Sequence, residues 1–426
     1  MHVLVVHNRY SSAQPSGENR VVDEEVGLLR AAGHRVELFE RRSDDIAGRS
    51  LLGKAAVPLL VPWNPGVRTE LAARLRADRP DVVHVHNVFP LLSPAVLAAC
   101  ADAGVPVVAT LHNYTQICPP GTLHRDGRQC TECVGSSTAL PAVRHGCYRS
   151  SRLATVPLAV SMSVNRRRWW SGVDRFFCIS GAQRDILVRS GMPAERLVVK
   201  YNFVPEPGDR REGDGEHVLF LGRLAEAKGV RPLMAAWDEI AAGGGVGVPL
   251  VIAGAGPLER EVTDWAAGRD DVRYVGLLDP AECRKAVARS VTVVAPSMSL
   301  ETFGLVVAEA MAAGVPAVAA GHGAFVELVE EGVTGLLHAP GDPASLASRI
   351  RLVAADPVRN REMGEAARRR YEQRFGPAVG LERLLEEYRT AIAVRSGGAN
   401  GAPPVRNEEA GSSRDTRASG DGGHEK

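Results

Sequence analysis

Two glutamates, Glu301 and Glu309, stand eight positions apart in SMSLETFGLVVAEAMAAGVP. Paired carboxylates can act on a glycosidic bond as acid and nucleophile only when about 5–5.5 Å or 6.5–9.5 Å apart. Eight residues along a largely helical path spread these two over about 12 Å. The pair does not read as a hydrolase dyad. Each carboxylate could instead hold hydroxyls on a different part of one long ligand, a sugar at one end and a ribose at the other. Between them, Phe303, Gly304 and Leu305 open a helix. Free amides at the positive end of a helix suit a phosphate, and Gly304 lets the backbone approach it closely.

A second constellation is Cys118, Cys130, Cys133 and Cys147, spaced C-x11-C-x2-C-x13-C within residues 111–150. A loop of that length needs some device to stay ordered. One C-x2-C with two further cysteines could close a tetrahedral Cys₄ zinc site of structural role, its sulfurs within about 4 Å of one another. The alternative is four small packing residues. No metal is expected in catalysis, because the chain contains no Asp-x-Asp.

A third is SMSVNRRRWWSGVDR (161–175), with three arginines and two tryptophans. It suits anionic headgroups or a polyprenyl diphosphate, or else it is a helix end with packed tryptophans. Charge leans the same way. Residues 1–200 carry 25 Lys/Arg against 17 Asp/Glu, a net of +8, and residues 201–426 carry 26 against 33, a net of −7. The first half is thus the one to face an anionic partner. No nucleic-acid partner is expected.

These residues need elements to position them. At 426 residues the chain exceeds one ordinary core. Apolar runs at 2–6, 81–86, 105–111, 175–180 and 197–202 read as strands, with helical patterns such as 19–33 between them. After a polar linker at 205–216, strands recur at 217–222, 249–254, 272–276, 291–296 and 315–320. Such alternation predicts two doubly wound parallel-sheet domains, with ligands in the cleft beyond the strands' carboxyl ends. The expected units are 1–204, with the cysteine insert at about 115–150, then 217–378, a C-terminal helix at 379–395 and a disordered tail at 396–426. No signal peptide or membrane-length apolar run is visible. The expectation is a cytoplasmic protein, with peripheral attachment to the inner membrane face if the Arg/Trp stretch meets lipid.

APSMSLETFG and the following helix resemble the Glu-x7-Glu signature of the retaining glycosyltransferases of family 4, which have the GT-B fold. LFLGRLAEAKGV (219–230) is similar to that family's Gly-Arg-Leu…Lys-Gly segment, and VIAGAGPLERE (251–261) to its Gly-x-Gly-Pro turn near the base. The resemblance covers nearly the whole chain apart from the tail. It implies that Arg223 and Lys228 bind the donor diphosphate, that Glu301 meets the transferred sugar, and that Glu309 holds the ribose. It also implies that Phe303, Gly304 and Leu305 offer backbone amides.

In the first half, VHNRYSSAQPSGENRVV (6–22) resembles the family's glycine loop, with Ser16 where many members carry a first glycine, and Gly17 would give an amide to the phosphates. VVATLHNY (107–114) is similar to the strand end whose histidine, here His112, borders the donor sugar. His84 and His86 alternate onto one face of their strand, His84 in a structural role. The resemblance implies retaining transfer from a nucleotide diphosphate sugar, UDP- or GDP-linked, to an acceptor hydroxyl in polysaccharide, glycolipid or natural-product assembly. An epimerase on the same fold and a non-catalytic nucleotide-sugar-binding regulator are the alternatives.

Overall fold

The computed structural model describes residues 1–12 and 16–397. Nearly all of the stretch expected to be disordered, residues 398–426, lies outside the described residues. The first unit holds β1 (His2–Arg9), β2 (Arg35–Arg42), β3 (Val82–Asn87), β4 (Val107–Leu111), a small hairpin of β5 (His124–Arg125) and β6 (Arg128–Gln129), β7 (Arg175–Cys178) and β8 (Leu197–Val199). The second holds β9 (His217–Leu221), β10 (Leu250–Ala253), β11 (Val272–Gly276), β12 (Ser290–Ala295), β13 (Ala317–Ala320) and β14 (Gly335–His338). Two parallel six-stranded sheets result, in the orders β2-β1-β3-β4-β7-β8 and β11-β10-β9-β12-β13-β14.

Central strands are apolar on both faces because helices cover both sides. All six residues of β12 are buried, as are Val3 to Val6 of β1. In each sheet the strand order reverses, between β1 and β3 and between β9 and β12. The crevice at such a switch point is where open α/β sheets take ligands. The chain turns that follow β1, β9 and β12 carry Gly17, then Arg223 and Lys228, then Glu301.

Besides the small hairpin β5–β6, two strands of the large sheets, β2 and β14, were not expected. Both are edge strands. β2 reads RVELFERR, with one buried residue on each face, Val36 and Phe39, and charged residues around them, so it lacks the apolar run that marks a buried strand. The helix Pro377–Ser396 crosses back to the first unit. Its Leu384, Tyr388 and Ala391 are buried against Val3, Val5 and Val108. Gly380 makes that passage fit, since a Cβ there would lie 2.8 Å from Phe203.

Candidate active site

The helix Leu305–Ala313 begins and ends as its sequence predicts. Gly304 precedes it at φ 95° and Gly314 stops it at φ 77°. A Cβ on Gly304 would stand 2.4 Å from Phe325 Cε1, so only glycine fits this entry. The ring of Phe303 is buried among Tyr201 and Phe375, which pins the turn from behind. The amides of Phe303, Gly304 and Leu305 donate to no described group, as expected of a helix's first turn.

Opposite this turn stands the start of the helix Gly17–Ala31. A Cβ on Gly17 would come 2.9 Å from Leu305 Cδ1. Two helix N-termini, one from each unit, therefore face each other at close range. The strand end at His112 meets the same turn, for its carbonyl accepts a 2.8 Å hydrogen bond from Thr302 Oγ1.

The loop after β9 completes the cluster. It folds against the loop after β10, with Gly222 N–H donating to the Ala253 carbonyl and Leu224 N–H to that of Ala255. Gly254 and Gly256 permit this, because a Cβ on either would lie within 2.4 Å of a Gly222 or Leu224 carbonyl oxygen. Lys228 ends a single helical turn and donates to Glu301 Oε1 at 2.5 Å, which also accepts from Ser297 Oγ at 2.6 Å. Burial works to raise the Glu301 pKa, but the Lys228 ammonium outweighs it and holds the carboxyl below its ordinary value. Arg223 is exposed, and its guanidinium has no hydrogen bond or ion pair among the described residues. The site thus offers a free guanidinium, an ammonium and unpaired amides, a donor set suited to phosphate oxygens.

Glu309 lies on the same helix and is taken up by an ion pair with Arg20, across the cleft. Burial opposes the Arg20 charge, but the carboxylates of Glu309 and Glu24 raise its pKa. Nothing in the sequence marks Arg20 among so many basic residues. Glu18 was also missed. Its side chain is buried beside Asn113, which donates to it at 3.4 Å, and 4.0 Å from His7 Nδ1. Burial pushes its carboxyl up to about 8, against hydrogen bonds from Tyr10 and Asn87. Acidic residues are ordinary in a helix's first turn, so its position carries no sequence signal. His112 and His7 are neutral, driven by burial down to about 3 and about 4.

The four cysteines are free thiols in the segment after β4. No three of their sulfurs lie mutually within 4.8 Å, so the separation of about 4 Å expected for a preformed zinc site is not met. Cys118 is turned into the first core, where its sulfur accepts from the amides of Leu123, Gly121 and Thr122. Burial pushes the Cys133 thiol up to about 11. The insert does reach the second unit. Gln129 Nε2 lies 2.7 Å from His322 Nδ1, and a Cβ on Gly127, in the hairpin turn, would stand 3.5 Å from Glu226.

The Arg/Trp stretch lies in the helix Arg152–Gly172 and is mostly engaged in packing. Trp169 is buried in the first core. Arg166 stacks over Trp170 and donates to the Ser136 and Ser190 carbonyls, while Arg168 stacks over Trp63. No helix among the described residues is long and apolar enough to cross a membrane.

Residues 15–206 match the family described as Glycosyltransferase Family 4, and residues 207–370 match Glycosyl transferases group 1. The chain is 31% identical over 328 residues to D-inositol 3-phosphate glycosyltransferase 1 of Catenulispora acidiphila, covering 73% of this chain and 72% of the relative. It is 29% identical over 407 residues to a glycogen synthase of Mycobacterium tuberculosis, covering 88% and 91%. A phosphatidyl-myo-inositol mannosyltransferase of Mycobacterium leprae is 27% identical over 413 residues, covering 91% and 96%. In fold the chain is similar to sucrose-phosphate synthase of Thermosynechococcus elongatus, with a TM-score of 0.67, 19% identity and coverage of 92% and 99%. It is also similar to Anabaena HepE in complex with UDP-glucose, with a TM-score of 0.62, 19% identity and coverage of 92% and 100%. From its matched domains and its relatives, the chain belongs to glycosyltransferase family 4 and is a glycosyltransferase of the GT-B fold.

Proposed function

We propose that this enzyme transfers a sugar, with retention, from a uridine or guanosine diphosphate sugar to an acceptor hydroxyl, without a metal. The observation that carries this reading is the convergence of two helix N-termini with Arg223 and Lys228 in one cleft. The diphosphate lies between Gly17 and the Phe303–Leu305 amides. The anomeric carbon–oxygen bond to phosphate breaks and a bond to the acceptor oxygen forms on the same face. The acceptor proton passes to the departing phosphate oxygen. Arg223, Lys228 and the amides stabilise the charge that develops there. Glu301, held by Lys228, meets the sugar, and Glu309 meets the ribose.

An acceptor carried on a lipid is favoured by an exposed apolar surface on two neighbouring helices. The helices Leu51–Leu60 and Arg152–Gly172 are tied together by Asn165 donating to the Pro62 carbonyl. They expose Leu51, Leu52, Leu59, Leu153 and Val164, with Lys54, Arg149 and Arg152 exposed beside them. Apolar residues rimmed by cations suit an anionic bilayer surface.

Nucleotide release from a panel of nucleotide sugars, with and without acceptor and with EDTA, tests the reading. Transfer should survive chelation and be nearly abolished in Lys228→Ala. A strict requirement for Mg²⁺ or Mn²⁺ would remove the metal-free mechanism. Donor consumption without an acceptor would favour epimerisation, and tight binding without turnover a regulator.

A further inference from the structure

Behind His112 lies a buried polar cluster that the proposed reaction does not use. Glu25, on the helix Gly17–Ala31, is 1% exposed and accepts from Lys200 Nζ at 2.7 Å. Its other oxygen, Oε1, lies 3.0 Å from His84 Nδ1 and 3.6 Å from His86 Nε2. His84 is held further by Tyr388 OH at 2.7 Å and Thr110 Oγ1 at 2.8 Å. His86 Nδ1 lies 2.9 Å from His112 Nε2. The ligand atoms of Glu25, His84 and His86 fall within 4.8 Å of one another, the reach of a metal site. The Lys200 ammonium already supplies the positive charge on that carboxylate, which argues against a cation there.

Proton positions follow from what each nitrogen faces. His86 Nε2 is sealed from solvent and makes no hydrogen bond; it faces Glu25 Oε1 at 3.6 Å, an oxygen that His84 Nδ1 approaches at 3.0 Å. A lone pair on His86 Nε2 would face that buried carboxylate and be repelled by it, whereas an N–H there is attracted, a difference that the low local dielectric enlarges. The proton of His86 therefore sits on Nε2, toward Glu25. That leaves Nδ1 as a lone pair, which can only accept from His112 Nε2–H. His112 Nδ1 is then a lone pair as well. It has no partner among the described residues, and it is absent from the nitrogens sealed away from solvent. Burial keeps both rings neutral, so no second proton upsets the pattern.

We propose that Glu25 and His86 are positioning residues that hold His112 in one tautomer, with the proton on Nε2, so that Nδ1 accepts a hydrogen bond from a hydroxyl of the donor sugar. This rests on the reading of His112 as the residue that borders that sugar. It also sets a chemical preference. A donor presenting a hydroxyl to His112 is bound, while one presenting a carboxylate there would set acceptor against acceptor and be rejected.

Long-range ¹H–¹⁵N correlation on the full chain labelled with [¹⁵N]histidine reads the tautomer directly. Wild-type His112 should carry its proton on Nε2 throughout neutral pH. His86→Leu should mix the two tautomers and lower kcat about 10-fold, the order of loss when an orienting partner is removed. KM should change little. His86→Asn, whose Oδ1 stands near the position of Nδ1, should restore both spectrum and kcat. A proton on Nδ1 in the wild type overturns the relay, and this holds even if His86→Leu fails to fold. An unchanged spectrum and kcat in a folded His86→Leu would overturn it too. Full activity in His112→Ala would overturn the sugar contact, and with it the functional half of the relay, whatever the spectrum shows.

Discussion

At the scale of single residues, the two glutamates have different surroundings and should fail differently. Among the described residues Glu309 pairs only with Arg20, and the ribose of the proposed complex would displace that guanidinium. Glu309→Ala should weaken free nucleotide diphosphate and donor alike by about 1.5–3 kcal/mol, the worth of a charged hydrogen bond. Arg20→Ala removes a partly exposed ion pair worth about 0.2–1 kcal/mol and should shift nucleotide affinity less than Glu309→Ala does. Glu301→Ala should leave free nucleotide binding nearly unchanged and cut turnover. Isothermal titration of the three variants checks the set, and wild-type nucleotide affinity in Glu309→Ala would defeat the ribose assignment.

Glu18 makes a separate prediction. Its folded pKa, about 8, is raised above the ordinary carboxyl value. Between those two values the folded state binds a proton that the unfolded chain releases, so stability falls as pH rises through the window. Glu18→Gln should therefore gain on wild type in melting temperature from mildly acidic pH up to about 8 and keep a constant lead above it. Parallel melting curves across that range would contradict the assignment.

At the scale of elements, the strand-to-helix turn is where backbone and ligand compete for space. Gly304→Ala meets both a positive φ and the Phe325 ring, whereas Gly268→Ala meets the positive φ alone, with nothing within 4 Å. Strain of this kind costs about 1–3 kcal/mol per site. Gly304→Ala should lose clearly more stability than Gly268→Ala in denaturant melts, and should also lose stabilisation by nucleotide. Equal losses would mean the close approach is relieved by a shift of Phe325. The cysteine insert is held by backbone hydrogen bonds and by the Gln129–His322 contact, and no three of its sulfurs lie mutually within 4.8 Å. Elemental analysis should find zinc below one equivalent per chain, and a full equivalent would mean that the loop draws its thiols together on binding.

At the scale of the whole molecule, the charge asymmetry and the exposed leucines lie on the same unit. Binding to anionic vesicles should fall with added salt and with Leu51→Ser/Leu52→Ser/Leu59→Ser, while Arg167→Ser changes it less. Vesicle binding that follows Arg167 and ignores the leucines would return the membrane contact to the Arg/Trp stretch.

Strand and helix alternation made the two sheets legible, because buried parallel strands and helix caps are local signals. The helix Leu305–Ala313 was readable to its ends from Gly304, Gly314 and the small residues between them. The charged edge strand β2 was not, since only Val36 and Phe39 of its residues are buried. Residue type and spacing singled out Glu301 and Glu309, and the family resemblance singled out Arg223, Lys228 and His112. What they could not convey is which groups meet across separations of a hundred residues or more. Arg20 on Glu309, Thr302 on the His112 carbonyl, and Lys200 on Glu25 are such meetings. The same holds for the cysteines, whose thiols come near enough to act on one another although no three lie mutually within 4.8 Å. Local sequence dictates hydrogen-bonded turns and burial periods, whereas the pairing of charges and the direction of thiols depend on how two separately folded sheets come to face each other.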